Sequence, residues 1–279
     1  MKSNPLQFGA CLEIFFTDRP FLDRIASAAD AGLSHAEMWF TDQTAWAHGM
    51  KGDDAKDPDK VRAAAEACGM TITNAVIGSP DGSLGGGLTD SAHRVHWVAR
   101  ADATLKFCRE ANIAAAIVCT GNVVPGLTPR RMRENVLDGL KATVELADQI
   151  GVNLLLEPLN DKVDHLEYFL TGSDEGAALC REVGSERLKL LFDCYHLQIM
   201  EGDLDGHFRR NFDVIGHVHS AGHPSRHELW EGETNYPFVA RAMAAIGYRG
   251  VFAFEYLPLL PPAESLRRAV QYLKGTEHE

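Results

Sequence analysis

The sequence has few basic residues and no long apolar run, and each shortage excludes a class of function. Lysine and arginine number 27 against 39 for aspartate and glutamate, which gives a formal net charge of −12 over 279 residues. The basic residues form no run longer than pairs such as Arg130-Arg131 and Arg209-Arg210. Because an acidic chain repels phosphate backbones, we expect no nucleic-acid partner. No stretch reaches the roughly 18 apolar residues of a membrane span, so we expect no membrane partner either.

The chain also lacks paired cysteine motifs and a secretory signal. Its six cysteines are widely scattered and none forms C-x-x-C, so we expect buried free thiols in a reducing compartment. The first 16 residues have no charged region, long apolar run or small-residue cleavage site. These features predict a cytoplasmic protein. The cysteines are Cys11, Cys68, Cys108, Cys119, Cys180 and Cys194.

Short apolar runs alternate with longer amphipathic ones along the chain. Near-continuous apolar character is typical of strands that are covered on both faces. The predicted strands are Phe8–Phe15, His35–Phe40, Thr71–Ile77, Ala114–Cys119, Asn153–Glu157, Leu188–Asp193, Val214–His219 and Val251–Glu255. The predicted helices are Phe21–Ala31, Pro58–Ala67, Ser91–Ala111, Thr128–Ile150, Ser173–Val183, Tyr236–Ile246 and Ala263–Leu273. Glycines such as Gly151 and Gly184 stand where these helices should end.

Eight strands that alternate with seven helices, without a linker, predict an α/β fold, a single (β/α)8 TIM barrel that spans residues 1–279 as one domain. A doubly wound sheet is the alternative, but no G-x-G-x-x-G or P-loop follows any strand. The loops after the second, third and seventh strands are long, at about 41–57, 78–90 and 220–235. Since barrels build their sites from such loops, we expect the site at this end.

The last four strands each run from an apolar segment into an ionisable residue: Glu157, Asp193, His219 and Glu255. The ends of neighbouring barrel strands converge on one rim, where three buried carboxylates would repel each other unless a cation lay between them. Three carboxylates and one imidazole suit Mg²⁺, Mn²⁺ or Co²⁺. The pattern therefore predicts a divalent metal site. A strand-end carboxylate taken alone is as often a helix cap or an ion-pair partner.

Two further residues are candidates for substrate binding. His196 lies three residues past Asp193 and could bind a substrate oxygen, or it could be a solvent-facing histidine at a helix start. Arg226, in the long loop after the seventh strand, could pair with a substrate carboxylate through its fork, or it could be a solvated loop arginine. Glu37, at the end of the second strand, could face the pocket, but we interpret it as a strand-end cap. No role is assigned to His165.

Several segments carry a resemblance to a known family: residues 15–40, 190–204, LLLEPLN at 154–160, IGHVHSAGHPSRHE at 215–228, GETNYPF at 232–238 and GYRGVFAFEYLP at 247–258. Through them the sequence resembles the xylose isomerase-like TIM barrels, and within these the hydroxypyruvate isomerases. The resemblance implies that a divalent ion binds at Glu157, Asp193, His219 and Glu255. The third ligand is often Gln in hydroxypyruvate isomerases, whereas His, as in this chain, is found in the ketose 3-epimerases.

The resemblance implies an isomerase that interconverts hydroxypyruvate and tartronate semialdehyde, a small-molecule substrate, through an enediolate. Moving a carbonyl between adjacent carbons requires one proton to leave and another to be returned to the neighbouring carbon. We assign the acid and base roles to Glu157 and Glu255, which the resemblance also implies, and treat Asp193 and His219 as pure ligands.

Three other functions stay open. A ketose or keto-acid 3-epimerase, or a dehydratase, would use the same chemistry. An abasic-site endonuclease shares the fold and the Asp-x-x-His of Asp193–His196, but it needs extra histidines on earlier strands, where this chain has Ile77-Gly78 and Cys119-Thr120. A non-catalytic ligand-binding barrel is the third. Barrels of this kind often pair into homo-oligomers through helices or loops, and the sequence leaves the oligomeric state open.

Overall fold

The computed structural model describes residues 6–42 and 56–275. The strands of this part are β1 (Gln7–Cys11), β2 (His35–Glu37), β3 (Thr71–Ile72), β4 (Asn74–Val76), β5 (Ala115–Val118), β6 (Asn153–Leu156), β7 (Leu188–Asp193), β8 (Ile215–Ser220) and β9 (Val251–Phe254). Its α-helices are α1 (Phe21–Asp30), α2 (Pro58–Ala67), α3 (Arg94–Glu110), α4 (Pro129–Ile150), α5 (Ser173–Val183), α6 (Cys194–Met200), α7 (Leu204–Asn211), α8 (Tyr236–Ala245) and α9 (Pro262–Lys274). Two 3₁₀ turns, Ser91–His93 and Leu229–Glu231, complete the regular structure of these residues.

The strands form one parallel sheet in the order β3-β2-β1-β9-β8-β7-β6-β5-β4. Its two end strands, β3 and β4, are separated in the chain only by Thr73. The backbone of Thr73 donates to the Ala36 carbonyl at 2.9 Å and accepts from the Ala115 amide at 3.2 Å, so it joins β2 to β5. β3 and β4 are therefore two parts of one interrupted strand that closes the sheet. The predicted (β/α)8 barrel is confirmed.

Local sequence accounts for the longer helices. Helix α4 begins after Thr128, whose side-chain oxygen accepts from the Arg131 amide at 3.2 Å, with Pro129 at the first helical position. It ends at Gly151, which has a φ of 84°, and α5 ends at Gly184, with a φ of 68°. Both glycines adopt the left-handed conformation that a residue with a Cβ rarely takes.

The segment between β7 and β8 differs from the sequence prediction, which had no helix there. It contains α6 and α7, each of no more than eight residues. Helices this short span about two turns, too few for a helical period to stand out. The Asp193 side chain starts α6 by accepting from the Tyr195 and His196 amides at 2.7 and 3.2 Å. The residue chosen from its strand end thus also caps a helix.

The first two strands are shorter than predicted. The chain turns after β1, because the Ile14 amide donates to the Cys11 carbonyl three residues back, at 3.3 Å. Strand β2 ends at Glu37, although Met38 still donates to the Asn74 carbonyl at 3.2 Å. Residues 43–55 of the predicted long loop lie outside the described residues. The six cysteines are free thiols; five are buried, as expected, and Cys68 is half-buried. In the described part of the chain no helix is long and apolar enough to cross a membrane.

Candidate metal centre and substrate pocket

The four predicted ligands meet at the carboxyl ends of the strands. Glu157 directly follows β6, Asp193 ends β7, His219 lies on β8 and Glu255 directly follows β9. One ligand atom from each lies within 4.8 Å of the others, and all four side chains are buried. The sheet order explains this meeting, since β6, β7, β8 and β9 are consecutive neighbours in the barrel.

His219 is the centre of this cluster. Its Nδ1 lies 3.3 Å from Glu157 Oε1, 3.6 Å from Glu255 Oε2 and 3.9 Å from Asp193 Oδ2. This buried nitrogen has no hydrogen-bond partner among the described residues. Three carboxylates around a nitrogen without a partner are the oxygen-rich donor set that suits a divalent cation such as Mg²⁺ or Mn²⁺. The residues therefore fit the predicted metal.

The electrostatics of the cluster agree with that fit. Burial raises the pKa of the Glu157 carboxyl, and it raises the pKa of Asp193 to about 7, with Glu157 and Glu255 adding to the shift of Asp193. Burial opposes protonation of His219, but the neighbouring carboxylates, chiefly Glu37 and Glu255, raise its pKa well above the usual value. Protons and a divalent cation thus compete for the same buried atoms.

Glu37 holds the other side of the imidazole. Its Oε2 accepts from His219 Nε2 at 2.8 Å, and its Oε1 accepts from His217 Nε2. Burial alone would raise the pKa of Glu37, but His219 and His217 outweigh it and keep the pKa below the usual range. The interpretation of Glu37 as a strand-end cap is wrong. With its Nε2 proton held by Glu37, a neutral His219 ring leaves a lone pair on Nδ1 for a metal.

Asp193 and Glu255 are also oriented by neighbours. Asp193 Oδ1 is committed to the start of α6, which leaves Oδ2 facing His219. Glu255 Oε1 accepts from the Trp39 indole at 2.9 Å, and Oε2 accepts from Arg226 Nη2 at 2.7 Å. Each carboxylate therefore reaches the cluster in a fixed geometry.

Arg226 lies against the site rather than in solvent. Its side chain is 12% exposed, its guanidinium lies 5.3 Å from the centre of the Tyr195 ring, and Nη1 is 3.9 Å from Asp164 Oδ1. The backbone of Ser225 and Arg226 has φ values of 82° and 55°, a strained region for residues with a Cβ. The alternative of a solvated loop arginine is wrong.

His196, the third residue of α6, is 1% exposed, so it is not a solvent-facing histidine. Burial, reinforced by Arg226, lowers its pKa well below the usual value, which keeps the ring neutral at neutral pH. The ring of His165, to which the sequence assigned no role, lies 5.4 Å from the His196 ring.

A cavity of about 400 Å³, including its opening to solvent, lies beside the cluster. Its polar wall is formed by Glu157, His165, His196, Arg226 and Glu255. The rest of its lining is mainly apolar and consists of Trp39, Phe40, Val76, Pro80, Ile117, Cys119 and Leu159. Both predicted substrate-binding residues therefore line the same cavity as two of the predicted ligands.

The fold and this cluster define a (β/α)8 barrel with a candidate metal centre at the carboxyl ends of its strands. Residues 25–276 match the family model described as xylose isomerase-like TIM barrel. The chain belongs to this family, as the sequence predicted.

Two known relatives of the chain are named as isomerases. The chain is 36% identical over 264 residues to a 2-oxo-tetronate isomerase of Cupriavidus necator, covering 90% of this chain and 93% of that protein. It is 28% identical over 165 residues to a hydroxypyruvate isomerase of Escherichia coli, covering 59% and 64%. These relatives confirm that the protein is an isomerase.

A solved structure titled AP endonuclease, family 2, from Brucella melitensis has a similar fold, with a TM-score of 0.83 and 25% identity. The match covers 96% of this chain and 99% of that chain.

Proposed function

We propose that the protein is a divalent-metal-dependent isomerase of short hydroxy-keto acids, of the hydroxypyruvate and 2-oxo-tetronate type, acting through an enediolate. The observation that carries the proposal is the meeting of three carboxylates and one imidazole nitrogen within 4.8 Å, at a cavity that Arg226 also lines. The relatives named for these two keto acids support the substrate class.

Glu157, Asp193, His219 and Glu255 would hold the cation. When bound, a divalent ion supplies electrostatic stabilisation for the negative charge that develops on the substrate oxygens. The same donor set suits Mg²⁺, Mn²⁺ and Co²⁺.

The two glutamates carry the proton transfers in this proposal. One of Glu157 and Glu255, as a carboxylate, removes a proton from the carbon next to the carbonyl. The other, protonated at the start, returns a proton to the former carbonyl carbon, and the hydroxyl proton moves to the former carbonyl oxygen. The two glutamates follow different strands, and both line the cavity. The apolar side of the cavity limits water around the reacting atoms, which strengthens each charge interaction there.

Arg226 and His196 bind the substrate in this proposal. The Arg226 guanidinium is the cation of the described cavity lining, so it is the candidate partner for the carboxylate of a keto acid. His196 lies on the same wall and faces a substrate oxygen.

A 3-epimerase of ketoses or keto acids is the second candidate, because His219 is the ligand type found in the ketose 3-epimerases. It would use the same centre and differ only in which proton moves. An abasic-site endonuclease has less support. The residues after β4 and β5 are Ile77 and Cys119 rather than histidines, and the chain carries a net charge of −12.

The test is turnover on metal-stripped protein, with and without added Mg²⁺ or Mn²⁺. Substrates are hydroxypyruvate, 2-oxo-tetronate and a panel of longer neutral ketoses. We expect metal-dependent conversion of a keto acid and little conversion of the ketoses. Turnover of ketoses alone would favour the epimerase, and keto-acid turnover that survives stripping and chelation would refute the metal dependence.

A further inference from the structure

A buried asparagine near the end of β6 has a fixed amide orientation. Asn160 is completely buried, and its Oδ1 lies 2.9 Å from the Val163 amide and 3.0 Å from the Asp164 amide. Both neighbours are backbone N–H donors, so the atom that faces them must be the amide oxygen. The amide nitrogen therefore points to the opposite side.

On that side two donors converge on one ring nitrogen of His196. Asn160 Nδ2 lies 2.6 Å from His196 Nδ1, and the backbone N–H of Asn160 donates to the same Nδ1 at 3.2 Å. The second amide proton goes to Asp164 Oδ2 at 2.7 Å. A proton on Nδ1 would face two N–H groups, so Nδ1 must be an acceptor. The single proton of a neutral ring is then on Nε2.

That Nε2 is buried and without a partner. His196 is 1% exposed, and its Nε2 has no hydrogen-bond partner among residues 6–42 and 56–275. Asp193 Oδ2 lies 3.6 Å from this nitrogen, beyond hydrogen-bond range. A buried donor left unpaired is costly, and His196 lines the cavity, where a ligand oxygen could pair with it.

We propose that Asn160 is a positioning residue that fixes His196 as an Nε2–H tautomer, and that this N–H donates to an acceptor oxygen of the substrate. The second half of the inference rests on the proposed function, whereas the first concerns the protein alone. A fixed neutral donor can stabilise charge on a carbonyl or carboxylate oxygen without giving up its proton. It would disfavour a protonated amine at the same position, because that group can only donate.

The tautomer can be read directly by NMR. Protein labelled with ¹⁵N-histidine, in Mg²⁺ at neutral pH and without substrate, gives ring signals that identify which nitrogen carries hydrogen. The signals of His196 are assigned by their loss in His196→Gln. We expect an unprotonated Nδ1 and a protonated Nε2. A proton on Nδ1, with or without one on Nε2, would overturn the inference.

Asn160→Asp tests the positioning role. It keeps an oxygen toward Val163 and Asp164 but replaces the amide donor at His196 with an acceptor, so we expect hydrogen to appear on Nδ1. We also expect kcat for hydroxypyruvate to fall at least tenfold. The control Asn153→Asp makes the same change at the exposed start of β6 and should leave the His196 signals unchanged. Unchanged His196 signals in Asn160→Asp would refute the role of Asn160; if that variant does not fold, the wild-type spectrum decides.

The donor role is tested by adding hydroxypyruvate to the wild-type protein until its turnover is saturated. A hydrogen bond from Nε2 shifts that nitrogen signal while Nδ1 stays unprotonated, and the absence of a shift would refute it. If no keto acid is converted, the proposed function and the keto-acid half of this inference fail together. The spectrum without substrate still decides the half that concerns Asn160.

Discussion

The two halves of the barrel mouth have opposite chemistry. The four residues of the candidate metal centre lie at or directly after the carboxyl ends of β6 to β9, whereas β4 and β5 lead into Ile77 and Cys119, and β1 ends in Cys11. Concentrating the charges on one half lets the other half form an apolar wall of the cavity. Low polarity opposite the carboxylates strengthens their interaction with any bound cation or substrate.

Glu37 is the exception in the apolar half. It ends β2, yet its carboxylate reaches across the barrel to His217 and His219 of β8. The four charged strand ends of β6 to β9 form the cluster, and Glu37 contacts His219 within it. All of these charged residues therefore belong to one site.

The charged half is tested first by Glu157→Gln and Glu255→Gln. Each removes a group that accepts or returns a proton, so we expect kcat for the keto acid to fall by about 10²- to 10⁴-fold with the fold intact. Steady-state kinetics and circular dichroism measure the two effects. Glu145→Gln, on the exposed face of α4, is the control and should keep full activity. Near-normal kcat in either site variant would contradict the acid and base roles.

The exception is tested by Glu37→Gln. An amide can accept from only one imidazole and points a donor at the other, so His219 loses its fixed orientation. We expect the affinity for Mn²⁺ to fall by roughly 10- to 100-fold, measured by titration calorimetry. The matched control is Glu13→Gln, a buried carboxylate after β1 that pairs with Lys56 at 2.9 Å. Equal loss of metal affinity in both variants would show that Glu37 has no special role.

The proposed contact between Arg226 and a substrate carboxylate is tested by Arg226→Ala. A charged hydrogen bond contributes about 1.5–3 kcal/mol, so KM for a keto acid should rise by roughly 10- to 100-fold. The variant also removes the hydrogen bond from Arg226 to Glu255, and this loss would affect the turnover of every substrate alike. The decisive quantity is therefore the ratio between a keto acid and a neutral ketose. Arg226→Lys keeps the positive charge but lacks the forked guanidinium, so its KM for a keto acid should lie between those of the wild type and of Arg226→Ala. Equal effects on both substrates would refute carboxylate pairing.

The apolar half is tested by Ile117→Val, which removes one methylene from the cavity wall. We expect a loss of about 1 kcal/mol in the free energy of unfolding, measured with urea, and an almost unchanged kcat. Ile25→Val, at a buried position of α1, is the control and should cost a similar amount. A tenfold fall in kcat for Ile117→Val alone would mean that the apolar wall positions the substrate rather than only enclosing it.

Much of the fold was accessible from local pattern. The apolar runs located every barrel strand, and β7 and α5 have the predicted bounds. The interruption at Thr73 was not accessible, because the run from Thr71 to Ile77 has uniform strand character and the break depends on how two neighbours meet. Helices α6 and α7 were not predicted, for a different reason: two helical turns are too short for the helical period of apolar residues to be recognised.

Some residues of the candidate site could likewise be predicted from the local sequence, and others could not. Glu157, Asp193, His219 and Glu255 could be chosen because each follows or ends an apolar strand. Glu37 shows that same signal at β2 and could have been found with it. Asn160 could not, because nothing in its sequence neighbourhood indicates a contact with His196, 36 residues away.

The sequence by itself determined the barrel, its acidic charge and the four strand ends, because each depends on residues that are close in the chain or on a spacing of one strand–helix unit. Only the tertiary structure decided which atoms of those residues face one another. It turned one oxygen of Asp193 toward the cluster and the other toward α6, placed Arg226 on Glu255, and joined Glu37 to His219. Hydrogen bonds between distant strands depend on the closure of the barrel, and no local pattern records them.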